Sequence, residues 1–155
     1  MRRTLFAALT FGALSALSAL FASCHGPKHY LSDSSGPWLR YERTMCFGQC
    51  PAFTLEVQSD GTASFKGRAH IKPLGEHQAQ WRPSDLELLA QTAAEIHLHR
   101  WAGTYDNPMV MDLPATKLTM GEHTVFDRID GPDLDVLYRQ IDSLIQATTW
   151  LPTDH

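Results

Sequence analysis

The sequence predicts an α+β fold: an antiparallel sheet of about five to six strands with two helices packed on one face, preceded by a signal peptide. Three observations carry this. Alternating runs around glycine turns read as hairpins over residues 52–66 and 115–129. Two stretches opening near Pro83 and Asp133 place apolar residues at helical spacing. The first two dozen residues are laid out as an export leader.

That leader begins with Arg2 and Arg3, continues as an uncharged run over residues 5–21, and ends in Ala22-Ser23-Cys24. A small pair before a cysteine marks a bacterial lipoprotein signal, so Cys24 is the expected lipidation site. Leu20 sits one place earlier than such a signal usually has its aliphatic residue, with Phe21 in that place. An ordinary secretory signal and an uncleaved membrane anchor are the alternatives. A span needs roughly 20 mainly apolar residues, and this run holds 17, interrupted by Thr10, Gly12, Ser15 and Ser18. All three readings export the domain. A diacylglyceryl thioether plus an amide-linked acyl chain on Cys24 would hold it firmly, where a single chain binds only marginally.

Removing residues 1–23 from 155 leaves 132, enough for one domain that buries about two-thirds of its unfolded surface without a metal or cofactor. The chain carries a net charge of −4, and loss of Arg2 and Arg3 makes it more acidic. No basic cluster points to nucleic acid, and membrane contact belongs to the lipid. Residues 24–37 are turn-forming and polar, a tether whose 13 residues after Cys24 would reach on the order of 20 Å. His25 and His29 there read as solvated. The domain is expected over residues 38–151, as a monomer.

Within it, residues 38–45 read as a first strand. Residues 52–58 place Phe53, Leu55 and Val57 on one face, and a partner strand follows at residues 62–66. Ser59-Asp60-Gly61 taken as a three-residue loop sets Leu55 opposite Phe65 and Val57 opposite Ala63. A two-residue turn would exchange the faces of the partner strand. Gly61 then falls at the left-handed position of a bulged hairpin. Residues 75–81 make a further strand. Pro83 suits the first helical position, Asp85 suits the dipole of the first turn, and Leu86, Leu89, Ala93 and Ile96 form the buried stripe. Residues 103–114, with Gly103, Asn107, Pro108 and Pro114, read as a loop. The second hairpin turns at Gly121-Glu122 as type II′, which sets Leu118 against Val125. A last helix over residues 133–148 carries Leu134, Leu137, Tyr138, Ile141, Leu144 and Ile145 on one stripe, and Trp150 and Leu151 are expected to tuck against the domain.

One group carries chemistry: Arg43-Thr44-Met45-Cys46-Phe47-Gly48-Gln49-Cys50-Pro51. In an oxidising envelope two nearby thiols become a disulfide, and residues four apart in a tight turn meet the Cα spacing it needs. Cys46–Cys50 is therefore expected to be a local structural bond, and acylation accounts for the odd Cys24.

The R-x-x-C-x-G-x-C-P group, followed by an alternating strand and an Asp-Gly turn, resembles the bacterial domain-of-unknown-function family 6438. Met111-Asp112-Leu113-Pro114 and Asp130-Gly131-Pro132 are similar to that family as well, and the likeness extends from about Trp38 to Leu151. It implies a secreted or lipid-anchored α+β domain and no catalytic residues.

A second resemblance, to thioredoxin-like copper chaperones, rests on C-x-x-x-C-P with a distant histidine. It implies a Cu(I) site on Cys46 and Cys50 completed by His70, His77, His97, His99 or His123. Those chaperones continue from the motif into a helix, whereas residues 52–58 alternate as a strand. Dithiol exchange also favours closer cysteines at a helix start.

No catalytic serine elbow, zinc-protease helix or phosphate loop is present. His97 and His99 read as helix-end caps or solvated residues, with ligation as the sharper option. Asp106 and Asp112 read as solvated loop acids, and Trp38, Trp81, Trp101 and Trp150 as core or partner contacts. The expectation is a non-catalytic binding or assembly domain of an envelope lipoprotein, without a cofactor. Thiol-based metal or redox work at Cys46 and Cys50 is the alternative.

Overall fold

A computed structural model describes residues 36–110 and 112–153. The leader, Cys24 and most of the tether lie outside the described residues. The chain enters through Trp38 into β1 (Leu39–Arg43), then β2 (Ala52–Val57), β3 (Thr62–Ala69) and β4 (Gly75–Gln80). Helix α1 (Pro83–Glu95) and a 3-10 turn (Leu98–Arg100) lead to β5 (Gly103–Tyr105), and the hairpin of β6 (Thr116–Met120) and β7 (His123–Asp127) follows. Helix α2 (Asp135–Ala147) and β8 (Leu151–Pro152) complete the described fold.

All eight strands form one sheet in the order β5-β7-β6-β1-β2-β3-β4-β8. The expected registers hold: Leu55 faces Phe65, Val57 faces Ala63, and Leu118 faces Val125. Gly61 takes φ 86°, and the added Cβ of any other residue would strike the Trp81 carbonyl. Gly121 takes φ 57°, as the first residue of a type II′ turn must.

Period-2 alternation sorts the sheet into two faces. Leu39, Tyr41, Phe53, Leu55, Val57, Ala63, Phe65, Leu118, Met120 and Val125 pack into one core with Leu86, Leu89, Ala90 and Ala93 of α1 and Leu137, Tyr138, Ile141 and Ile145 of α2. Burying each large apolar side chain is worth about 1.5–3 kcal/mol, so the two helices are held mainly by this layer. Helix α1 starts as expected: Pro83 needs no N–H partner, and Asp85 accepts hydrogen bonds from the Arg82 backbone and guanidinium. Those bonds draw the Asp85 carboxyl below the ordinary range.

Several expectations need correction. The sheet has eight strands rather than five or six, and it is not wholly antiparallel. Part of the expected 103–114 loop is β5, which pairs in parallel with β7. β3 runs to Ala69 rather than Lys66. Trp150 does tuck in, its ring 5.0 Å from Phe65. Leu151 does not: it stays 64% exposed and extends the sheet by pairing with Gln78. Its partner position in β8 is Pro152, which has no N–H to offer a further strand.

Candidate functional site

The strand directions send four connections to one end of the sheet: residues 44–51 between β1 and β2, 70–74 between β3 and β4, 106–115 between β5 and β6, and 128–134 between β7 and α2. The opposite end holds the entry at Trp38 and the tight turns at Gly61 and Gly121. The Arg43–Pro51 group, the segment from Asp112 to Pro114 and Asp130-Gly131-Pro132 thus converge on one end, although they lie far apart in sequence.

Each connection is fastened to the core. Arg43 Nε donates to Tyr41 Oη at 2.8 Å and its Nη2 to Asp142 Oδ2 at 2.9 Å, which ties the end of β1 to α2. Burial pushes the Asp142 carboxyl upward, and Arg43 opposes it. Tyr41 and Tyr138 stack nearby at 5.7 Å, and burial raises both phenols well above their usual range. The Thr44 N–H donates to the Ala115 carbonyl at 2.9 Å, and the Ala115 N–H returns to Thr44 Oγ1 at 2.8 Å. Arg128 bridges to Asp106 at 3.1 Å and donates to the Val110 carbonyl at 3.2 Å. Asp106 is therefore a structural partner. The Asp127 carboxyl is raised by burial, while a hydrogen bond from the Gly131 backbone opposes the shift.

Cys46 and Cys50 stand at disulfide distance with their Cα atoms 5.8 Å apart, inside the window such a bond needs. The Gly48 N–H turns back onto Cys46 Sγ at 3.1 Å. Beyond this closed loop the backbone enters β2 within two residues, as a strand. At the same end of the sheet, large apolar side chains face solvent: Phe47 at 92% exposure, Met109 at 88%, Met45, Leu74 and Leu113.

The histidines do not gather at the cysteines. His77 lies along β4 opposite Phe65, with a buried Nδ1. His123 opens β7 beside Met120 at the far end of the sheet, and His99 is with it, rings 6.2 Å apart. His70, following β3 with φ 52°, is the candidate at the cysteine end. Among the described residues no group of three or more His, Cys, Asp or Glu side chains could hold a metal ion. Of the tryptophans, Trp38 and Trp81 are core residues, and Trp101 is 42% exposed.

The open face of the sheet bears a concavity of about 330 Å³, lined by Arg40, Thr54, Glu56, Lys66, Arg68 and Glu76 among others. Here Arg40 pairs with Glu56, Lys66 with Glu76 at 2.5 Å, and Arg68 with Thr54 Oγ1 at 2.7 Å. That arrangement is the solvated side of a sheet whose charges answer each other. The ladder was not anticipated, although the alternation that faces Phe53, Leu55 and Val57 inward also turns Thr54 and Glu56 outward.

Fold and site together define an α+β domain whose longest loops share one end of the sheet, where a disulfide-spaced cysteine pair closes one of them. The chain belongs to the family described as Domain of unknown function (DUF6438), whose model matches residues 37–145. No curated protein matches it.

Proposed function

We propose that this chain is an exported, lipid-anchored envelope protein whose domain binds a protein partner through the loop-bearing end of its sheet, without catalysing a reaction. The leader and Cys24 support export and anchoring; Cys46 and Cys50 at bonding distance suit an oxidising compartment. The observation that carries the reading is Phe47. A phenylalanine 92% exposed at the tip of a cross-linked loop, with Met45, Met109 and Leu74 at the same end, is the kind of apolar surface that marks an interaction site. Bracing matters, because a loop already held in its bound shape loses less entropy on association.

The geometry also suits delivery. The tether joins at Trp38, so an anchored domain presents the opposite end, with Phe47, away from the lipid. Arg43, Asp142, Arg128 and Asp106 serve to hold these loops, which favours binding over catalysis.

The test is a photoactivatable phenylalanine analogue placed at position 47 in living cells. A discrete protein adduct is expected there and not from position 88, an exposed leucine on α1. Equal labelling from both positions, or none from either, overturns the proposal.

A further inference from the structure

We infer that the partner of the loop-bearing end is a second copy of this chain, docked end to end about a two-fold axis that runs normal to the sheet at Phe47. The inference rests on the binding role proposed above and names the partner, in place of the monomer expected from the sequence.

Charge divides that end of the sheet into two unlike corners. One holds the stretches 106–115 and 127–135, which together carry six aspartates and one cation, Arg128. Arg128 is taken by Asp106 at 3.1 Å, and Arg139 approaches Asp135 at 3.7 Å. Asp112, Asp130 and Asp133 are exposed and form no ion pair among the described residues. The other corner is the stretch 67–75, which contains Arg68, His70 and Lys72 and no acid. Arg68 is shared with Glu42 at 3.4 Å, while His70 and Lys72 stand exposed. Between the corners lies the closed loop of residues 46–50, with Phe47 at its tip.

Sheet order sets the corners at similar distances from that loop. The central loop joins β1 to β2; β7 lies two strands beyond β1, and the 70–74 connection joins the two strands beyond β2. With strands spaced about 4.8 Å apart, the acidic corner is roughly 12 Å to one side and the basic corner roughly 10 Å to the other. A half-turn about the sheet normal therefore carries each acidic corner onto the partner's basic corner, and Phe47 onto Phe47. A half-turn about the line of strand order sets acid on acid instead. Isologous contacts need such self-complementarity, and like charges reject the wrong docking.

Apolar contact accompanies charge at both corners, since Met109 and Leu113 are exposed on the acidic side and Leu74 on the basic side. The Arg43–Asp142 and Thr44–Ala115 bonds already hold the central loop, so docking needs little reordering. The two Trp38 entries then point apart, and a tether reaching on the order of 20 Å lets both chains of a pair lie along one membrane.

The photoactivatable analogue at position 47 tests this in cells making the full chain. A species of twice the chain's mass, yielding peptides of this chain alone, is expected. Asp112→Lys or Lys72→Glu, each a charge reversal at one corner, should lower that species by about tenfold, because both contacts of the pair then set like on like. Cells making the two variants together should regain it, since the reversed corners now face unlike ones; an unfolded variant could not be rescued in this way. Adducts to another protein without the double-mass species overturn the inference and leave the proposed function standing. Adducts to lipid alone, or none at all, overturn both. Loss in both variants without rescue, or no loss in either, overturns the inference.

Discussion

Replacing both cysteines of the closed loop by serine should lower stability by about 2 kcal/mol while leaving the fold intact. The magnitude follows from the loop. Cross-linking residues four apart removes only a small part of the unfolded chain's freedom, roughly 2 kcal/mol by the chain-entropy relation. The rest of the segment is fastened without the sulfurs: Arg43 to Asp142, and Thr44 to Ala115 in both directions. No core side chain depends on the bond, since Met45 and Phe47 already face water. At the roughly 4 °C per kcal/mol usual for a domain near 100 residues, the melting temperature should fall by about 8 °C. Differential scanning calorimetry of the Cys46→Ser/Cys50→Ser protein gives the shift, and far-ultraviolet circular dichroism should be unchanged. An unfolded variant would show that the pair holds the whole domain. An unchanged melting temperature would show that it braces nothing.

Other perturbations probe the surrounding scaffold. Gly61→Ala forces a Cβ against the Trp81 carbonyl at a left-handed φ and should cost about 3 kcal/mol, read by urea unfolding. Arg43→Met removes the cation facing half-buried Asp142; the loss should be about 1–2 kcal/mol, and the Asp142 carboxyl, titrated by NMR, should rise further. Asp127→Asn separates charge from hydrogen bonding. Burial raises the Asp127 carboxyl in the folded state, so its protonated form is favoured there. That contribution is fully present below the unfolded value near 3.8 and is lost as pH rises through the folded value. The asparagine variant should therefore melt higher than wild type at pH 7 and equal to it at pH 3. A constant difference across that range would contradict the assignment.

How much was legible depended on the range over which each feature is decided. The Leu55–Phe65 register could be read from the eleven residues between and including that pair, because a slip would exchange apolar and polar faces. Helix α1 announced itself through Pro83, Asp85 and the Leu86-Leu89-Ala93 stripe. By contrast, Gly103-Thr104-Tyr105 is too short to show a period, buries little, and becomes a strand only because β7 lies beside it in parallel. Leu151 reads as an apolar residue that tucks against the domain, and becomes a strand only because β4 offers an open edge. The site divides in the same way. The cysteine loop was visible as a motif, and the pairing of residues four apart followed from turn geometry. Its neighbours were not visible: Arg43 and Asp142 are 99 residues apart, and the 128–134 turn meets the cysteine end only through sheet order. Nor does anything in the sequence say that the α1 exit, with His99, meets the start of β7 at His123.

An exported domain with an oxidised brace beneath an apolar binding tip must keep Cys46 and Cys50 bonded in the cell, so the thiol state of the native protein decides between brace and free dithiol. Cells would be quenched in acid, alkylated before and after reduction, and the peptides carrying Cys24, Cys46 and Cys50 weighed. Cys46 and Cys50 should take up alkylating reagent only after reduction, and Cys24 should be the acylated first residue of the mature protein. Both cysteines alkylated without reduction, on a chain that still begins at Met1, would rule out export and the oxidised brace together.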